Sequence, residues 1–240
     1  MEITPDAIVL LELGPFAINA TIAFTWLVML LLTLASWLIT RRLSDGETLS
    51  RWQNLLEVVV FGMRDQIREV AHADPGRYLP FIGTLFLFIV TSNILAVVPG
   101  FRPPTGSLST TTALAICVFV AVPLYAIVES GTRAYLAKYL QPTVFMLPFN
   151  IIGEIARTVA LAVRLYGNVM SGTVIVAILI GVAPFFFPVL MQLLGLLTGV
   201  IQAYIFAVLA MVYIASATRT HAGSGEPEAA APAGRDAPHD

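Results

Sequence analysis

From Ala17 to Thr40 the chain runs more than 20 residues without a charged side chain and then meets Arg41 and Arg42. At about 1.5 Å per residue such a run covers a hydrocarbon core of roughly 30 Å, so it is read as a membrane-crossing helix. Acidic residues, Glu2, Asp6 and Glu12, precede it, where a cleavable signal would want basic ones, so it is expected to be retained. Comparable runs follow. One extends from Tyr78 to Val98, bounded by Pro80 near its start and by Pro99 and Gly100, and another from Thr112 to about Ile127. Between them Pro103-Pro104-Thr105-Gly106 predicts an ordered turn. Two longer segments, about Val144 to Val182 and Val189 to Ala217, are separated where Pro184 and Pro188 bracket three phenylalanines. The first of these is nearly twice the length an upright span needs, which predicts a strongly tilted hairpin.

Residues Leu49 to Val70 behave differently. Leu55, Val58, Val59, Gly62 and Met63 alternate in helical period with Arg51, Glu57, Arg64, Asp65, Arg68 and Glu69, a pattern for a helix lying in the interface. The fold expected is therefore all-α integral membrane: about five membrane-embedded helices plus one interfacial amphipathic helix. It forms a single polytopic domain over 1–217, with a disordered tail over 218–240 rich in Ala, Pro, Gly and charge. Composition agrees, with 58% hydrophobic and 12% charged residues and a mean hydropathy of +0.84. Six Lys or Arg residues lie in the connection after the first helix, one in the next loop and two in the one after, which places the N-terminus outside and the C-terminus in the cytoplasm.

The basic residues form no patch, so no nucleic-acid partner is read. Cys117, the single cysteine, lies in an apolar run and is read as a small buried residue. The histidines, His72, His221 and His239, fall outside the spans, and no hydrolase or zinc motif occurs, which argues against an intramembrane enzyme.

Arg164 is the exception to an apolar stretch from about Leu147 to Val182. A guanidinium keeps its proton, and placing one near the middle of a membrane helix costs at least about 2.5–3.5 kcal/mol. It shares a helical face with Arg157, Ala160, Gly167, Asn168 and Ser171. Glu154 lies three residues before Arg157, where the two can pair, and ten before Arg164, out of phase with it. Gln202 carries a second polar stripe with Gly195, Thr198 and Gly199 and can approach Arg164 if the two segments pack as a hairpin. Snorkelling or a structural pairing is the plain alternative for Arg164, and helix-to-helix glue the usual role for Gln202. A free-standing transporter that binds an anion at Arg164 is a third reading, but the repeat symmetry or broken helices it would show are not found.

The runs Leu161-Ala162-Val163-Arg164-Leu165-Tyr166-Gly167-Asn168 and Ile201-Gln202-Ala203-Tyr204-Ile205-Phe206 together resemble the paired signature of subunit a of F-type rotary ATP synthases. Thr91-Ser92-Asn93-Ile94-Leu95-Ala96-Val97-Val98-Pro99-Gly100-Phe101, continuing into Pro103-Pro104-Thr105-Gly106, resembles it too. The likeness covers about Tyr78 to Ala217. It implies the membrane stator that faces a ring of c subunits, with two offset half-channels that load and unload cations, protons or sodium, on ring carboxylates. Arg164 is then the essential arginine between them, and Gln202 lies near it. Asn168 and Glu154 match polar or acidic positions of many relatives and become candidates for lining a half-channel, with Asn93 a further one and Ser171 on the same face as Arg164. Thr173 stands where many relatives carry an acidic residue, and Gly195 where some carry histidine. Arg157 with Met170-Ser171-Gly172-Thr173 resembles a divergent bacterial branch linked with sodium coupling. The implied partners are the c ring, peripheral-stalk b subunits, the soluble ATPase head and the lipid bilayer of a bacterial inner membrane. No cofactor and no nucleotide chemistry are implied for this chain.

Overall fold

The computed structural model describes residues 9–13, 16–41, 51–71, 74–98, 100–133, 146–182 and 186–218. Of the tail expected over 218–240, Thr218 is instead helical, and the rest lies outside them, as does the break at Pro184. A short antiparallel hairpin, β1 (Val9–Leu13) and β2 (Phe16–Asn19), precedes α1 (Ala20–Thr40). Then follow α2 (Arg51–Ala71), α3 (Pro75–Leu95), a 3-10 turn at Pro104–Gly106, α4 (Leu108–Ser130), α5 (Met146–Val182) and α6 (Phe187–Thr218). Five of these helices, α1, α3, α4, α5 and α6, are long and apolar enough to cross a membrane. The body is the all-α membrane fold expected; the hairpin is an addition that hydropathy alone does not signal.

Two helices begin earlier than hydropathy predicts, for local reasons. α3 starts at Pro75 because Asp74 caps it, its carboxylate accepting the Gly76 N–H at 3.1 Å, and Pro75 needs no N–H in the first turn. Pro80 is thus inside the helix instead of bounding it. α4 starts at Leu108, after the extended Ser107, whose carbonyl accepts the Thr111 N–H at 3.1 Å, and the Thr111 hydroxyl finds its own partner in the Leu108 carbonyl at 3.1 Å. It stops at Gly131, whose φ of 81° is open to glycine and strained for other residues.

α6 is the central helix, in contact with α2, α3, α4 and α5. Its buried stripe, including Gly199, Gln202, Ala203, Phe206, Ala207 and Ala210, repeats every three or four residues, and the small members let neighbours approach closely. Ile82, Leu85 and Ile89 of α3, Val118 and Val122 of α4, and Leu161 and Leu165 of α5 complete the core. α1 stands apart, leaning on α3, β2 and the 3-10 turn. α2 turns Met63, Ile67 and Val70 toward the core while Arg64, Asp65, Arg68 and Glu69 stay exposed. Its apolar face is only partly covered, since Val58 is 65% exposed. Cys117 corrects the sequence reading, because it is exposed on α4. It falls outside the stripe Ala115, Val118, Ala121 and Val122 that packs inward.

Candidate functional site

Eighteen residues of α5 precede Arg164 and eighteen follow it, so the guanidinium emerges at the middle of the longest helix. Leu161, Ala162 and Leu165 are buried in the bundle. At 100° per residue that stripe turns position 164 outward. Arg164 is accordingly exposed, and among the described residues it has neither a hydrogen bond nor an ion pair.

The α5–α6 hairpin has a definite register. Asn168 donates its Nδ2–H to the Thr198 carbonyl at 3.2 Å. In an antiparallel pair, one turn back on α5 meets one turn forward on α6, so Arg164 and Gln202 stand at the same height. They point apart. Gln202 is 5% exposed and turned into the bundle, and its Nε2 has no hydrogen-bond partner among the described residues. The hairpin therefore brings the two predicted residues level without joining them.

The other candidates divide between the two ends of this level. Toward the start of α5, Glu154 lines a cleft of about 450 Å³ with Asn150, Arg157, Thr158, Tyr213 and Ser216, walled by apolar residues of α4. The Arg157 guanidinium lies 5.9 Å from the centre of the Tyr213 ring, a cation–π contact that sequence reasoning missed because the partner is 56 residues away. Toward the end of α5, Ser171 and Thr173 are exposed, and each hydroxyl donates to its own helix, to the Asn168 carbonyl at 3.1 Å and the Val169 carbonyl at 3.0 Å.

Asn93 is buried near the end of α3. Its Nδ2–H reaches the Gly199 carbonyl of α6 at 2.9 Å, and its Oδ1 accepts from the Thr105 hydroxyl at 3.3 Å. Ser92, Thr105, Ser107 and Thr111 are buried in the same part of the chain. The sequence signal for this polar group was its density of hydroxyls between two spans. At the opposite end of the bundle the Tyr78 hydroxyl donates to Glu129 at 2.5 Å and ties α3 to α4. Among the described residues no three His, Cys, Asp or Glu side chains are grouped so that they could hold a metal ion.

This arrangement has a chemical consequence. A permanent cation exposed at mid-helix, with no counter-ion among the described residues, is able to attract an anion carried by another molecule. Polar groups approach its level from both ends of the bundle, through the Glu154 cleft and through the Asn93 cluster.

A family model described as ATP synthase A chain matches residues 22–215. The chain is 64% identical over 219 residues to ATP synthase subunit a 2 of Acaryochloris marina, covering 91% of this chain and 94% of that one. It is 60% identical over 220 residues to ATP synthase subunit a 1 of Chlorobaculum parvum, covering 92% and 97%. To ATP synthase subunit a of Albidiferax ferrireducens it is 58% identical over 227 residues, covering 95% and 98%.

Proposed function

This chain belongs to the ATP synthase A chain family, as a multi-pass membrane protein, and we propose that it is the ion-conducting stator of that complex. The observation that carries the reading is Arg164, exposed at the centre of α5 without a partner among the described residues. Its counter-ion is a carboxylate on a rotating ring of c subunits. A ring carboxylic acid gives up its cation to one half-channel and becomes an anion. Arg164 attracts that anion, and the carboxylate then moves past and takes up a cation from the second half-channel. The fixed charge also repels any cation that would pass straight from one half-channel to the other, so ring rotation is the only route. Each elementary charge crossing 100 mV supplies about 2.3 kcal/mol for that rotation.

The cleft that holds Glu154 and Asn150 is the half-channel on the cytoplasmic side, and the positive loops orient it so. Ser171 and Thr173, exposed toward the end of α5, border the path on the other side of the Arg164 level, and Gln202 stands level with Arg164. The chain itself cleaves no nucleotide. Peripheral-stalk b subunits hold it against the ring, and the soluble head does the ATP chemistry. The membrane is the bacterial inner membrane, with the N-terminus outside and the C-terminus in the cytoplasm.

The test is ATP-driven ion pumping by the whole complex in liposomes, for wild type and Arg164→Ala, with and without sodium. Loss of pumping in the variant supports the stator charge, and the sodium dependence of the wild type identifies the ion. Full coupled pumping by Arg164→Ala overturns the proposal.

A further inference from the structure

Apolar packing is non-directional, so a long helix with an apolar stripe has little to stop it sliding along its neighbours. Hydrogen bonds between helices fix height more sharply, and α6 makes several: Gln192 donates to the Ala96 and Val97 carbonyls at 3.3 and 3.4 Å and the Tyr204 hydroxyl to Gln66 Oε1 at 2.7 Å. Among the described residues, two asparagine amides grip α6 at consecutive residues: Asn168 of α5 donates to the Thr198 carbonyl at 3.2 Å and Asn93 of α3 to the Gly199 carbonyl at 2.9 Å. In an α-helix those carbonyls also receive the N–H groups of residues 202 and 203, so the grip acts on the turn that carries Gln202.

The Asn93 side is closely built. A Cβ placed on Gly199 would fall 2.9 Å from Asn93 Cγ, 3.0 Å from its Nδ2 and 3.1 Å from its Cβ, so only glycine admits this contact undisturbed. Thr105, fully buried on the 3-10 turn, donates to Asn93 Oδ1 and so leaves the Nδ2 end facing Gly199. The same turn touches α5, where a Cβ on Gly106 would meet Val169 at 3.4 Å. α3, α5 and α6 are thus joined around one level.

We infer that Asn93 and Asn168 form an amide collar on α6, one turn before Gln202, that holds Gln202 and Arg164 at a common height under the load of ring rotation. This rests on the stator reading above. It makes both asparagines positioning residues, whereas sequence reasoning placed them along an ion path.

The experiment uses the intact complex in inside-out membrane vesicles and compares Gly199→Ala, Asn93→Ala and the double variant. Complex content, ATP hydrolysis and ions pumped per ATP are read separately. Gly199→Ala is expected to keep complex and hydrolysis but to lose roughly fivefold in ions per ATP, the equivalent of about one hydrogen bond. Asn93→Ala and the double variant are expected to lose about the same fivefold, because both changes break the one Asn93–Gly199 contact and the new methyl enters the space the asparagine leaves. Should Gly199→Ala fail to assemble, Asn93→Leu carries the test: close in size but without a donor, it should lose coupling at unchanged complex content. The collar is overturned if the two losses multiply in the double variant, to roughly 25-fold, or if pumping in every variant simply follows the amount of complex. Failure of the stator reading shows elsewhere, as full pumping by Arg164→Ala.

Discussion

Replacing Gln202 by methionine should strengthen the bundle while weakening transport. The Gln202 amide is 5% exposed, and its Nε2 has no hydrogen-bond partner among the described residues. Leaving one buried donor unsatisfied costs about 1–3 kcal/mol, and an unbranched thioether of similar length removes the donor without opening a cavity. Allowing for imperfect packing of the new side chain, a gain of about 1–2 kcal/mol is expected, which corresponds to roughly 5–30-fold in an opening equilibrium. Hydrogen exchange on the peptide spanning 199–206, measured in the intact complex, reads this directly. Exchange should slow by that factor, while ions pumped per ATP fall, because a polar group level with Arg164 is gone. Faster exchange in Gln202→Met would refute the reasoning, since it would mean the amide is satisfied in the working complex. Slower exchange with unchanged pumping would remove Gln202 from the ion path and leave it as a structural cost.

Two further substitutions test the frame around the site. Tyr78→Phe deletes the hydroxyl that donates to Glu129 at 2.5 Å; with Glu129 exposed, the loss should be about 1 kcal/mol, seen as earlier thermal release of the α3–α4 pair in detergent. Gly131→Ala, at φ 81° and ψ 154° with open space around the added methyl, isolates backbone strain and should cost about 1–3 kcal/mol with no effect on pumping by the surviving complex.

Much of this architecture was legible in the residues. Long uncharged runs can only be helices in hydrocarbon, where every backbone group must find its partner within the segment, so the five spans follow from composition and length. Boundaries were less so. Capping by Asp74 extends α3, and hydroxyls that bond within the first turn let α4 run through polar residues that hydropathy reads as ends. Arg164 could be singled out from sequence because its cost is set by position in an apolar run and needs no knowledge of neighbours.

The direction in which each polar group faces was decided by tertiary structure. Helical period places Gln202 and Gly199 on one stripe, but only the packing of α3 and α5 on α6 turns Gln202 inward and Arg164 outward at one height. Asn93, Thr105 and Gly199 come together across separations of 12 and 106 residues, and Arg157 meets Tyr213 across the hairpin. Local sequence carries the periodicity of a helix and so determines which residues share a face. Which neighbour that face meets, and at what height, depends on hydrogen bonds between distant segments, and these exist only once the helices have packed.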